Sequence, residues 1–270
     1  MKKLLTTVCL ILCLCAIFAM PAGALTYANL IDADTQESVR SYLEAGGVGG
    51  ESVVLFFKWV DDFNQLTGIA GGGFHATEEP VVEYDDYYQI WMDSRDYADV
   101  NCRLTAFCLL RESIETAVRP EGGAALAVDM DAMALNPLCT FTPEEQKKFF
   151  AIYNPVPVAP TTNADDVRGA FLAGWQTRGI AFSQDALRLV SVVLHDELDN
   201  VAFVGHAGVL LEPEKGELYF VEKLAGAMPY QVSKFSSTDE LRDYLTGMYG
   251  TLYTQDVSAP PFILLNDQPL

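Results

Sequence analysis

Three side chains in three separate stretches of the chain could together carry out acyl transfer through a thiol. Cys102 stands in "DVNCRLTAFCLL", His206 in "NVAFVGHAGVLL" and Glu222 in "ELYFVEKL". A cysteine attacks a carbonyl only as thiolate, so it needs a neighbour that lowers its pKa and a base that handles the proton. Asn101 is a good helix N-cap and makes Cys102 the first helical residue. Free N–H groups and the helix dipole favour thiolate there. An imidazole supplies the base, and a carboxylate behind it orients the ring and stabilises its protonated form.

These groups can meet only if the elements carrying them are correctly faced. A helix is expected over 102–117, with a mostly apolar stripe of Cys102, Ala106, Leu109, Leu110, Ser113 and Ala117 toward a sheet. Arg103, Arg111 and Glu115 then fall on the other side. Strand alternation sets Ala202, Val204, His206, Gly208 and Leu210 on one face, with small neighbours leaving room over the imidazole. On the next strand Leu218, Phe220, Glu222 and Leu224 share a face, so Glu222 is a carboxylate among apolar residues and needs a partner. With Leu211 opposite Glu217 across the "EPEKG" turn, His206 stands opposite Glu222. A slip of two residues leaves them diagonal neighbours on the same face, still close enough for a hydrogen bond.

Each residue also has a plainer reading. Cys102 could be a small core hydrophobe or be bridged to Cys139, His206 a satisfied core histidine, and Glu222 the partner of a lysine or arginine. His195 in "VVLHDELDN" is the alternative base, with Asp196 or Asp199 behind it, though a turn-capping role suits it better. Gln89 and Asn101 are candidates for the second oxyanion donor beside the Cys102 backbone. The acidic, aromatic stretch "EYDDYYQIWMDSRDY", with Tyr84, Tyr87, Tyr88 and Trp91, could line a cleft for a peptide with a free amine, or be a solvated acidic loop.

Other chemistries lack their residues. There is no H-E-x-x-H and no CxxC pair, and the chain has 3 histidines, so neither metal nor cofactor is expected. "DMD" at 129–131 lacks the glycine and spaced acids of a calcium loop. "GGVGG" and "GGG" lack the lysine of a phosphate loop and read as caps and turns.

Along the whole chain, helices come first and strands follow. Helices are expected from Asp34 or Thr35 to Gly46, then up to Gly68, from Thr142 with Pro143 at its first turn, and over 164–178. From Leu187 the period changes to two. "LRLVSVVLH", "VAFVGHAGVLL", "ELYFVEKLA" and "YQVSKF" read as an antiparallel meander, closed by a helix at 238–248 and the strand "PFILL". The expected class is α+β, with N-terminal helices packed on a C-terminal antiparallel sheet, in a single domain over 25–270.

Residues 1–24 read as a cleaved signal peptide. Lys2 and Lys3 precede an apolar run from Leu4 to Met20, and Ala22 and Ala24 form the small-x-small cleavage pattern. A secreted chain without a stable membrane anchor is expected. Loss of the two lysines takes the net charge from −20 to −22. Such a chain repels nucleic acid and anionic polymers. Cys9, Cys13 and Cys15 leave with the signal. Cys102, Cys108 and Cys139 remain, an odd number, so at least one stays free or pairs between molecules. Cys102 and Cys108 are about 9 Å apart along one helix and on different faces, so they cannot bridge each other.

The order of a cysteine on a helix start, a histidine in "GHAGVLL" and a polar residue in "LYFVEKL" resembles the papain-like cysteine peptidase superfamily. Its NlpC/P60-type branch has a similar H-x-G-hydrophobic strand. Three features depart from that pattern: Arg103 and Leu104 follow the cysteine, the Cys-to-His interval holds two more helices than a minimal NlpC/P60 domain, and Glu222 stands where the branch commonly has histidine. Separately, "YANL…ADTQ", "NCRLTAF", "LHDELDNVAFVGHAGVLL", "FVEKLA…PYQ" and "PFILLND" resemble the bacterial domain-of-unknown-function family 4300 over nearly the whole mature chain. The papain-like resemblance implies a thiol hydrolase or acyltransferase acting on peptides, peptidoglycan stem peptides included, with Cys102 as nucleophile, His206 as base and Glu222 as orienter. The alternatives are a non-catalytic extracellular binding module and a transglutaminase-like acyltransferase, which uses a similar Cys–His–acid order.

Overall fold

The computed structural model describes residues 25–77, 84–183, 186–214 and 216–270. The expected signal peptide lies outside the described residues. The chain is α+β. Its helices are α1 (Ala33–Ala45), α2 (Gly50–Thr67), α3 (Tyr84–Ser94), α4 (Cys102–Leu110), α5 (Ala127–Leu135), α6 (Pro143–Tyr153), α7 (Ala164–Thr177) and α8 (Thr238–Tyr249). The strands are β1 (Leu25–Ala28), β2 (His75–Thr77), β3 (Ile114–Glu115), β4 (Val156–Pro157), β5 (Ala181–Phe182), β6 (Leu187–Asp196), β7 (Val201–Glu214), β8 (Glu217–Lys223), β9 (Tyr230–Phe235), β10 (Phe262–Leu265) and β11 (Gln268–Pro269). No helix among the described residues is long and apolar enough to cross a membrane.

Local chemistry accounts for most element ends. Thr142 and Glu145 form a reciprocal capping box at α6, with Pro143 at its first turn. Gly68 ends α2 in the left-handed region at φ 62°, which glycine tolerates. The cap of α1 is Asp32, two residues before the first position expected from sequence. Its carboxylate accepts from the backbone N–H of Thr35 at 2.9 Å and of Gly73 at 2.6 Å. The Gly73 and Thr35 donors hold its pKa down at about 2. A distant loop thus competes for the cap, which local spacing cannot reveal.

The helix expected over 102–117 stops at Leu110. Ser113 and Ala117 are therefore not on its buried stripe, and Ile114 and Glu115 pair with Phe182 and Ala181 instead. The acidic, aromatic stretch is helical, as α3, and leans on α2 through Tyr87 and Phe63, with ring centroids 6.3 Å apart.

The principal sheet runs β11-β10-β6-β7-β8-β9-β1-β2, with β4 pairing β7 off that path, and its neighbours are antiparallel. The meander expected from sequence forms its centre. The first residues of the described chain, β1, lie between β9 and the terminal strand β2. One face packs under the N-terminal helices, through Leu104, Phe107, Val209, Leu211 and Val221. The other is covered by α8, through Leu241, Tyr244 and Leu245 against Val190, Leu210 and Phe220.

Strand β7 differs from the expected alternation at one point. Val192 pairs with His206 but Val193 pairs with Val204, so Gly205 is an extra, bulged residue. Ala202 and Val204 face the N-terminal helices, as do Ala207, Val209 and Leu211, whereas Leu210 faces α8. His206 does not share a face with Ala202 and Val204. The bulge turns it over to the α8 side. Gly205 permits this because a Cβ there would sit 2.4 Å from a Leu194 methyl carbon.

Candidate active site

The elements converge where the β7 ladder is interrupted. On the side of β7 away from β6, β4 pairs with Val201 and Ala202, and β8 pairs from Gly208 onward. The N-terminus of α4 arrives at the stretch between them. Asn101 caps it, its side-chain oxygen accepting from Leu104 N–H at 3.1 Å. Cys102 follows as the first helical residue, and its thiol hydrogen-bonds to the His206 imidazole and to Ala207 N–H.

His206 is 2 % exposed and Glu222 fully buried. The imidazole Nε2 meets Glu222 Oε2 at 2.6 Å, where only an N–H donor suits a carboxylate. This leaves Nδ1 for the sulfur. The contact is the diagonal one: Gly208, not His206, lies directly opposite Glu222. Leu211 pairs with Tyr219 rather than Glu217, because the register shifts between Leu211 and Glu214. Gly208 is needed there, since a Cβ would fall 2.4 Å from two Phe220 ring carbons and 2.9 Å from Val221 O.

Helix α8 completes the support of the acid. Tyr244 Oη donates to Glu222 Oε1 at 2.9 Å, and Gln231 Nε2 reaches the same oxygen at 3.5 Å and Ser233 Oγ at 2.9 Å. The Tyr249 ring stacks on the imidazole, with centroids 4.8 Å apart and planes 20° apart. Each carboxylate oxygen therefore has a donor, as a buried charge requires.

Electrostatics favour the ion pair of thiolate and imidazolium. Burial by itself would push the Cys102 thiol up. The charge and hydrogen bond of His206 outweigh it, Arg103 and Ala207 N–H add to them, and the net shift is downward. Burial likewise opposes charge on His206, but the sulfur and Glu222 raise its pKa. The other two thiols are the reverse case. Burial holds Cys108 well above the usual thiol range and lifts Cys139 to about 12. The three cysteines among the described residues are free, and Cys102 is not bridged to Cys139. Exposure orders them in the same way: 8 % for Cys102, 4 % for Cys139 and zero for Cys108.

Arg103 does not lie on the far side of its helix. Its guanidinium is held by Asp129, with Nε 3.1 Å from Oδ1 and Nη2 2.5 Å from Oδ2, and Nη1 donates to Val204 O at 3.2 Å. Asp129 is fully buried and also accepts from Asn101 Nδ2 at 2.8 Å. It belongs to the "DMD" that lacks calcium-loop features. Its signal in the sequence is a pair of acids, Asp129 and Asp131, inside the otherwise apolar helix "AVDMDAMAL", where a buried carboxylate needs a partner.

The remaining candidates are engaged in other contacts. His195 Nδ1 accepts from Ala259 N–H at 3.0 Å and ties the β6 end to the loop before β10. The turn after it is capped instead by Asp196, which accepts from Leu198 N–H at 2.9 Å and Asp199 N–H at 3.2 Å. Gln89 is exposed and donates to Asp93 within α3 at 3.0 Å, and the Asn101 side chain is engaged by its cap and by Asp129. Tyr88 and Trp91 pack on each other along α3, ring centroids 5.8 Å apart. Helix geometry leaves the Cys102 and Arg103 N–H groups as the candidates for oxyanion donors. No group of three or more histidine, cysteine, aspartate or glutamate side chains placed to hold a metal occurs among the described residues.

A family model described as a domain of unknown function, DUF4300, matches residues 26–270. No curated protein and no solved structure matches the chain.

Proposed function

The chain belongs to the DUF4300 family, and within it we propose a secreted, cysteine-dependent amide hydrolase or acyltransferase with a papain-like core. The observation that supports this reading is the His206 imidazole held between the Cys102 thiol and, at 2.6 Å, the Glu222 carboxylate. Three residues from three elements would not share one buried chain of hydrogen bonds for packing alone, because burying an ionisable acid and base is costly and hydrophobic residues would fill the space better.

In the proposed reaction the Cys102 thiolate attacks the carbonyl carbon of a peptide amide. The charge that develops on the carbonyl oxygen is met by backbone N–H groups at the α4 start. The His206 imidazolium gives its proton to the leaving nitrogen as the C–N bond breaks, and an acyl thioester remains on Cys102. Water then attacks the thioester, losing a proton to His206, and the carboxylic acid product leaves as the thiolate is restored. A primary amine in place of water gives transfer instead of hydrolysis. Glu222 holds the imidazole throughout and stabilises its charged form. The export signal read in residues 1–24 directs the proposal to extracellular peptides, peptidoglycan stem peptides among them.

Alkylation tests the centre without a known substrate. At pH 7, iodoacetamide is expected to modify Cys102 and leave Cys108 and Cys139 unmodified, as read by peptide mass mapping. His206→Ala should slow the modification about tenfold or more, since each unit of thiol pKa changes the thiolate fraction tenfold. A Cys102 no faster than an ordinary thiol, or one indifferent to His206→Ala, defeats the proposal and leaves a binding module. With stem-peptide fragments as substrates, free-acid product indicates hydrolysis, and incorporation of an added amine indicates transfer.

A further inference from the structure

We infer that Asp129 and Arg103 form a positioning clamp that fixes the Cys102 sulfur against the His206 imidazole. The inference rests on the proposed catalytic centre and adds a second layer to it. The two residues flanking Cys102, Asn101 and Arg103, both bind one carboxylate. Asp129 Oδ1 accepts from Asn101 Nδ2 at 2.8 Å and Arg103 Nε at 3.1 Å, and Oδ2 accepts from Arg103 Nη2 at 2.5 Å. With its oxygens spent on these donors, Asp129 is fully buried and locks the first turn of α4 from outside that helix.

Arg103 then carries this lock to the base. Its Nη1 donates to Val204 O at 3.2 Å, two residues before His206 and next to the Gly205 bulge. That carbonyl lies on the part of β7 between its β4 and β8 partners. The guanidinium stands in for the strand that is missing there. A planar fork whose donors sit on three separate nitrogens can serve Asp129 and a carbonyl in different directions at once, a spread that the single nitrogen of a lysine lacks. The sulfur and the imidazole belong to different elements, and Arg103 is a direct polar tie between them that spans 101 positions of the chain. Arginine directly after the cysteine is also where this chain departs from the papain-like pattern, so this departure has a structural use.

The test is the pH profile of Cys102 alkylation by iodoacetamide in the full mature chain. Arg103→Lys keeps the charge for Asp129 and gives up the bond to Val204 O. The double substitution Arg103→Met with Asp129→Leu removes the clamp without leaving a buried unpaired charge, so it guards against a misfolded single variant. Both are expected to move the apparent pKa of Cys102 upward, cutting the rate at pH 6 about tenfold or more. The rates should converge with the parent at alkaline pH, where every thiol is ionised. A clamp that matters only for folding predicts an equal loss of rate at all pH values, and that result overturns the inference. So does an unchanged profile in both variants. If the parent Cys102 itself titrates as an ordinary thiol and ignores His206→Ala, the catalytic reading falls. If the parent is depressed and both variants match it, only the clamp falls.

Discussion

At the scale of single residues, the centre depends on how charge is distributed over one hydrogen-bonded chain: sulfur, imidazole, carboxylate, phenol. Glu222 is its anchor, because its two oxygens face different donors. Oε2 meets His206 at 2.6 Å and Oε1 meets Tyr244 at 2.9 Å. Glu222→Gln keeps the shape and removes the charge that favours imidazolium. The amide can also turn an NH2 toward Nε2, which would force the proton onto Nδ1 and set it against the sulfur. Under the proposed function, turnover of an amide substrate is expected to fall about 10²–10⁴-fold with little loss of fold, as in triads whose orienting acid is neutralised. Steady-state kinetics beside a thermal melt checks this, and unchanged turnover would remove Glu222 from the mechanism. Cys102, His206 and Glu222 were legible because each residue type was wrong for its position: an odd thiol on a helix start, a base and an acid on apolar strand faces. Arg103 and Asp129 were less legible. Their pairing spans 26 positions, and nothing in local periodicity joins them.

At the scale of elements, the bulge in β7 decides which face His206 serves. Strict alternation would aim it with Ala202 and Val204 under the N-terminal helices. One extra residue, Gly205, turns it to the α8 side while Ala207 N–H stays beside the sulfur. The chain signals the possibility with two glycines around one histidine, "GHAG", but a glycine pair does not say whether a strand bulges or merely crosses close to a neighbour. Both occur here. Gly205 is the bulge, and Gly208 admits the Phe220 ring. Gly208→Ala should therefore destabilise the protein by about 1–3 kcal/mol, in the range of overpacked sites. Denaturant melts check this, and a neutral effect would mean that Phe220 can rotate away at little cost. Register is the same kind of problem. Its difference of two residues at the β7–β8 turn leaves faces intact and changes only who stands opposite whom.

At the scale of the whole molecule, the sheet is covered on both faces, and some ionisable groups are sealed inside for reasons of topology. Lys223 is the clearest. It is fully buried next to Glu222 in sequence but on the opposite face, and its ammonium lies 4.0 Å from the Phe63 ring centroid and 4.1 Å from that of Tyr230. Nζ has no hydrogen-bond partner among the described residues. Burial lowers its pKa from the ordinary 10.5 to about 8, against the attraction of Asp99. The unfolded chain therefore binds more protons than the folded one between about pH 8 and 10.5. Through this group stability rises with pH across that window, and the full penalty is present below it. Lys223→Met should raise stability at pH 7 by about 1–3 kcal/mol and flatten that rise. Melting curves from pH 7 to 10.5 check it. A destabilised Met variant would mean that the aromatic contacts outweigh the cost of burial.

By itself the sequence determined the helices α1, α2, α6, α7 and α8, the Asn101 cap that puts Cys102 on a helix start, the α6 capping box, and the central meander. These follow from neighbours a few residues apart, where period, caps and turn residues act. The strands β1 to β5, set before and among the helices, break the expected order of helices first and strands after. Only the tertiary structure decided the Gly205 bulge, the diagonal His206–Glu222 contact, the Arg103–Asp129 tie and the early end of α4. Each of these is settled by competition between groups far apart in the chain for the same space or the same hydrogen bond. That competition has a winner only once the layers are packed together.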